Sequence, residues 1–286
     1  MFETLARSWE YAKISYGVIW ENKQLVVFPI ISSIAAILVM ASFLVPLWSS
    51  GMIERMTSDD PATAVSNAVI YSILFAFYFC NYFVIVFFNA ALTACAMRVI
   101  NGEQPTVGDG LAVAMRRLPQ IVGWALVSAV VGVVLQIIEN ANEKVGHFIS
   151  SILGSAWTAL TYFVVPVIVV DGVGPIKAFK SSVGTLKQQW GTALVGGFSL
   201  GFLGLLVIIP IVLIAAGLIW LATQSMGTTG IIAAVVVGLV LFAIGMAVNS
   251  AAGVVFKALL FNFATNRSLP QGIDASHFGD AFVSKE

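Results

Sequence analysis

Charge is what this chain has least of. From Gln188 to Phe256, 69 consecutive residues pass without one Asp, Glu, Lys or Arg. Over the whole chain only 10% of residues are charged and 59% are hydrophobic, with a mean hydropathy of +0.97. Soluble domains carry about 25% charged residues, because a surface in water needs charge spread along the chain. In hydrocarbon the deficit is expected, since a charged side chain at mid-bilayer costs about 2.5–3.5 kcal/mol. The composition therefore excludes an ordinary soluble protein and points to a membrane protein.

Other scarcities narrow the chemistry. Fourteen basic residues balance fourteen acidic ones, so no basic stripe proposes nucleic acid as a partner. The two cysteines, Cys80 and Cys95, share one apolar run, and on a helix they stand about 22 Å apart, far beyond disulfide reach. The two histidines, His147 at the outer interface and His277 near the cytoplasmic end, are expected in different compartments, which leaves no metal-ligand cluster. Nucleophilic chemistry would need His147 beside Glu139 or Glu143. Gly108-Asp109-Gly110 lacks the preceding strand of a dinucleotide site, and no phosphate-binding loop occurs. The expectation is a protein with no catalytic residues, no cofactor and no metal.

Charge-free runs place six spans, at about 25–48, 68–97, 118–138, 145–170, 190–222 and 231–262, each long enough for a hydrocarbon core of about 30 Å. The last two are separated at Gly227-Thr228-Thr229-Gly230, whose glycines suit a tight turn. The first apolar segment opens only near Leu25, too late and too long for a cleavable leader. An even number of spans places both termini on one side. Arg7, Lys13, Lys23, Arg98, Arg116, Arg117, Lys177, Lys180, Lys187, Lys257, Arg267 and Lys285 fall there, and only Arg55 and Lys144 fall opposite. Basic residues collect on the cytoplasmic side, so both termini are expected in the cytoplasm, with 263–286 as a tail.

Each odd-numbered span follows an amphipathic stretch: 1–24, 107–117 and 175–189. Phe2, Leu5, Trp9, Ala12, Tyr16 and Ile19 recur at helical spacing, as do Ile176, Phe179, Val183, Leu186 and Trp190. Leu111, Met115, Leu118 and Val122 repeat a shorter version. Thr106 and Asp109 have capping-box spacing, and Pro175 suits a first helical turn. Such helices lie at the headgroup level, with Trp9, Tyr16, Trp20 and Trp190 as anchors. The fold class is therefore an all-α polytopic bundle: three transmembrane hairpins, each preceded by an interfacial helix, within a single membrane domain spanning 1–286.

Within the spans, small and polar residues form stripes: Gly238, Gly245, Asn249 and Gly253; Gly197, Gly201 and Gly204; Ala125, Ala129 and Gly132; Ser151, Ser155, Thr158 and Thr161. Asn81, Asn89, Ser155, Thr158, Thr161 and Asn249 read in two ways, as a polar path between the helices or as hydrogen-bonded packing contacts. Pro166 and Pro210 are expected to kink their spans. No Asp, Glu, Lys, Arg or His falls in the central bilayer core of any predicted span, where ion-coupled machines usually place one.

Several stretches occur together in order: Ser8-Trp9, LVVFP at 25–29, FNAAL at 88–92, TVGDGL at 106–111, VVPVIVVDGVGP at 164–175, and Leu269-Pro270 ahead of Ala281-Phe282. In these the chain resembles a prokaryotic family of multi-span integral membrane proteins known only as a domain of unknown function. The layout is also similar to the membrane domains that accompany some glycerophosphodiester phosphodiesterases, without their catalytic domain. The resemblance implies an uncharacterised integral membrane protein with no catalytic or binding residues to carry over; the expected setting is the prokaryotic inner membrane, with the bilayer, lipids or other membrane proteins as partners. Three interfacial helices on one leaflet, beside spans with no charged interior, make an organiser of lipid or of a complex the expected function; transport of a neutral or lipid-like solute through a polar path is the alternative.

Overall fold

The computed structural model describes residues 13–56, 58, 65–141, 145–225 and 227–265, with only the backbone described for 188–203 and 225. The described part of α1 covers 13–21, and a 3-10 turn, Lys23–Val26, leads into α2 (Val27–Ser49). There follow α3 (Met52–Met56), α4 (Asn67–Ile100), α5 (Val107–Arg116), α6 (Leu118–Ala141), α7 (Gly146–Leu160), α8 (Val164–Asp171), α9 (Pro175–Ser225) and α10 (Gly227–Ala264). No strand occurs among the described residues. Six stretches are long and apolar enough to cross a membrane: Lys23–Ser49, Asn67–Ile100, Leu118–Ala141, Gly146–Asp171, Gly204–Gln224 and Gly227–Ala264. The molecule is an all-α polytopic helical membrane protein.

Three boundaries depart from the sequence reading. The stretches 175–189 and 190–222, expected as an interfacial helix and a separate span, form one helix of 51 residues, α9. At 1.5 Å per residue this is roughly 77 Å long. No proline lies near their junction to stop helical pairing. The turn expected at 227–230 is shorter: Gly227 takes φ +60° and already opens α10. The fourth span breaks rather than kinks. Thr161–Phe163 are non-helical, and Pro166 lies in the first turn of α8. A proline ring collides with the carbonyl four residues earlier, which is that of Tyr162, so the interruption falls one turn ahead of the ring.

The chain packs as two compact units. Unit 1 comprises 1–30, 92–110 and 185–286, and unit 2 comprises 31–91 and 111–184. In unit 1 the fully buried side chains include Leu25, Phe28, Leu92, Cys95 and Val255. In unit 2 they include Ile121, Phe163, Val164, Val167 and Ile168. Outward-facing Ile34, Leu38, Leu126 and Val130 in unit 2, and Leu213, Ile232 and Leu239 in unit 1, are large apolar side chains left exposed. In a span that surface is where hydrocarbon replaces water.

Candidate functional site

Unit 1 joins two residues that the sequence assigns to separate roles. Tyr16, expected at the headgroup level, donates its hydroxyl to Asn249 Oδ1 at 2.7 Å. Burial pushes the Tyr16 phenol up from its ordinary value, so it remains a donor. Gly204 of α9 faces the same amide: a Cβ built there would lie 2.6 Å from Asn249 Oδ1. Gly238 and Gly245 likewise face Ala215 and Ile211, with built Cβ distances of 2.9 and 2.5 Å. Small residues on α10 thus meet α9 in antiparallel order. Trp20 is 78% exposed, and Lys23 Nζ stands 5.4 Å from its ring centroid. Trp9 lies outside the described residues, and so does the side chain of Trp190.

The start of α5 carries the expected capping box. Asp109 Oδ2 accepts from the Thr106 amide at 2.8 Å and from its hydroxyl at 2.7 Å, and Thr106 Oγ1 accepts from the Asp109 amide at 3.2 Å. Arg98 joins the cluster, 3.2 Å from both Glu103 and Asp109. The hydrogen bonds from Thr106, with Arg98 beside them, hold the Asp109 carboxyl below its ordinary value. A carboxylate depressed in this way supports the fold above its unfolded value of about 3.9 and loses that support as pH falls through the folded value. Gln24 Nε2 donates to Pro105 O at 3.3 Å, tying the 3-10 turn to the loop before α5. The buried stripe of α5 and its continuation is Gly110, Ala114 and Ile121, one position ahead of the apolar stripe read from the sequence; Met115 of that stripe is 56% exposed.

In unit 2 the four expected polar residues with resolved partners turn to their own helices. Ser155 donates to Ser151 O at 2.8 Å, Thr158 to Gly154 O at 2.9 Å, and Thr161 to Trp157 O at 2.7 Å. Asn81 Nδ2 donates to Phe77 O at 2.9 Å. Asn89 is half-buried in α4. Ser155 and Thr158 are exposed, on the outside of α7. Asn249 belongs to unit 1 and the other five to unit 2.

Sequence reasoning missed the residues that organise the broken span. Fully buried Ser182 donates to Leu160 O at 2.7 Å and accepts from the Phe163 amide at 3.0 Å. One hydroxyl so replaces helical pairing on both sides of the gap. Trp124, Trp157 and Phe179 cluster with near-parallel rings, Trp157 lying 5.6 Å from each of the other two centroids and those two 6.5 Å apart. Phe179, assigned by its spacing to an interfacial stripe, is thereby an internal packing residue. At the end of α8, Gly172 is left-handed with φ +65°. Arg117 Nε donates to Val169 O at 3.3 Å, and Gln120 Nε2 donates to Gly172 O at 3.2 Å. A cation and an amide from the start of α6 thus meet carbonyls that a helix end leaves open. Hydrogen-bonded Tyr78 and Gln136, 3.2 Å apart, place the first half of α4 beside the last turns of α6.

Between α2 and α4 of unit 2 runs an apolar groove of about 500 Å³, lined by Phe43, Pro46, Leu47, Val69, Ile73 and Ala76 among others. Its two hydroxyls are turned inward to their own helices, Ser42 to Val39 O and Ser72 to Ala68 O, both at 2.7 Å. Both walls belong to membrane-crossing stretches.

Residues 68–269, from the start of α4 to beyond α10, match the profile of a family of unknown function, DUF6159. The chain belongs to this family. The match agrees with the family class expected from the sequence motifs and leaves α1 to α3 ahead of the matched region. No curated protein matches the chain. Membership in DUF6159 together with six apolar helices makes it a multi-pass membrane protein of unknown activity.

Proposed function

We propose that this DUF6159 protein is a non-enzymatic lipid-binding protein that organises its surrounding bilayer, seating an acyl chain in the groove between α2 and α4. The groove carries the reading. Its volume of about 500 Å³ falls within the roughly 300–1,000 Å³ usual for small-molecule sites, and its walls are apolar. The groove hydroxyls and four of the six candidate path residues are satisfied by backbone of their own helices, which favours helix packing over a polar solute path. The basic residues support insertion in a prokaryotic plasma membrane with both termini cytoplasmic.

The test fills the groove. The full chain is purified in mild detergent, and the lipid held per protein is measured by native mass spectrometry. Ala76→Trp and Ile73→Trp should each lower bound lipid at least fivefold while helical content is unchanged. Wild-type lipid content in both variants overturns the reading.

A further inference from the structure

The strongest unassigned feature is a concentration of positive charge at one end of unit 2. Arg116 and Arg117 stand where α5 meets α6, and Lys177 and Lys180 stand on the first turns of α9. The structure brings these two places together. Arg117 and Gln120 reach the end of α8 through Val169 O and Gly172 O, and a Cβ built on Gly123 of α6 would lie 2.8 Å from Pro175 Cγ, the first residue of α9. Lys177 and Lys180, three residues apart, share one face of α9, and Ala178 and Ser182 are buried on another. Within segments 111–124 and 169–184 the four cations meet a single acid, Asp171. Arg98 of unit 1 makes the contrast, since Glu103 and Asp109 neutralise it.

We propose that this end of unit 2 is a binding site for the phosphate headgroup of an anionic phospholipid. Charge supplies the sign, and position selects a lipid over a soluble anion. The membrane-crossing stretches begin at Leu118 and end at Asp171, so the cations stand at the hydrocarbon boundary, where lipid phosphates lie. Met115 beside Arg116 and Ile176 beside Lys177 are 56% and 67% exposed, placing apolar side chains outward at the level of the first acyl carbons. Arg117 is committed to the end of α8; Arg116, whose Nε donates to Ala112 O at 3.3 Å, and Lys177 and Lys180 are the exposed cations that a headgroup can reach. Basic pockets between transmembrane helices hold anionic headgroups by this combination. The site stands independently of the groove: Tyr78 lies against Gln136, late in α6, so the groove residues at 68–76 fall near the opposite end of α6 from Arg117.

The full chain is reconstituted in nanodiscs of equal phosphatidylcholine and phosphatidylglycerol, and the lipids retained after detergent extraction are counted. Wild type should retain phosphatidylglycerol in several-fold excess. Each of Arg116→Gln, Lys177→Gln and Lys180→Gln should reduce that excess, by roughly fivefold per charge at the limit. The charge-preserving triple variant Arg116→Lys, Lys177→Arg, Lys180→Arg should keep it. Soluble glycerophosphate at the same phosphate concentration should not displace the lipid. An unchanged excess in a folded triple Gln variant overturns the proposal, and so does full displacement by glycerophosphate. Ala76→Trp reports on the groove separately: it should lower total lipid and leave the anionic excess per lipid intact.

Discussion

Two proline-containing spans respond to the same ring in opposite ways. Buried Pro166 has a break ahead of it, and helical pairing stops at Thr161–Phe163 between α7 and α8. Exposed Pro210 lies inside α9, which continues from Pro175 to Ser225. Each ring removes one amide donor and crowds the carbonyl four residues earlier. The difference lies in what surrounds the affected backbone. Around Phe163 and Val164, both fully buried, Ser182 supplies a donor and an acceptor. Around Pro210 the preceding Leu205, Leu206 and Ile209 face outward, into hydrocarbon that can pair with nothing. A membrane helix can unwind only where protein takes over its backbone hydrogen bonds, and elsewhere it keeps all the pairing the ring leaves it.

The largest effect should come from removing the substitute partner. Ser182→Ala leaves the Phe163 amide and the Leu160 carbonyl without their bond, at about 1–3 kcal/mol for each buried group. Denaturant titration of the detergent-solubilised protein should show that loss, and a wild-type midpoint would break the comparison. The prolines themselves come next. Pro210→Ala should stabilise the protein by up to about 3 kcal/mol, because it restores an interior helical bond, whereas Pro166→Ala should shift stability by less than about 0.5 kcal/mol, because a first-turn position needs no such bond. Equal shifts in the same titration would remove the distinction drawn here. A smaller loss than that of Ser182→Ala belongs to the far end of α8. Gly172→Ala forces a side chain into a left-handed residue and toward the Arg117 guanidinium, at about 1–2 kcal/mol. Retained helicity with a lowered midpoint should mark it.

Much of this was legible from residue spacing. The six apolar runs became six membrane-length stretches, five of them unbroken helix, and the Thr106–Asp109 box formed with the expected bonds. Gly204 and Asn249, singled out as members of small and polar stripes, meet face to face. What spacing could not reveal was who partners whom. Tyr16 and Phe179 have the periodicity of surface anchors, yet one bonds an asparagine 233 positions away and the other stacks on Trp157. Amphipathic spacing records that a helix has an apolar face, and is silent on whether lipid or protein covers it. Nothing in the spacing of Ser182 pointed to a broken span.

The sequence by itself determined the solvent and the secondary structure. A shortage of charge over lengths of a bilayer leaves hydrocarbon as the medium, and hydrocarbon demands that each backbone satisfy itself as helix. Only the tertiary structure decided where that demand could be relaxed and which cations would stand together. Both depend on residues distant in sequence reaching one place: a hydroxyl on α9 beside the gap between α7 and α8, and an arginine just ahead of α6 at the end of α8.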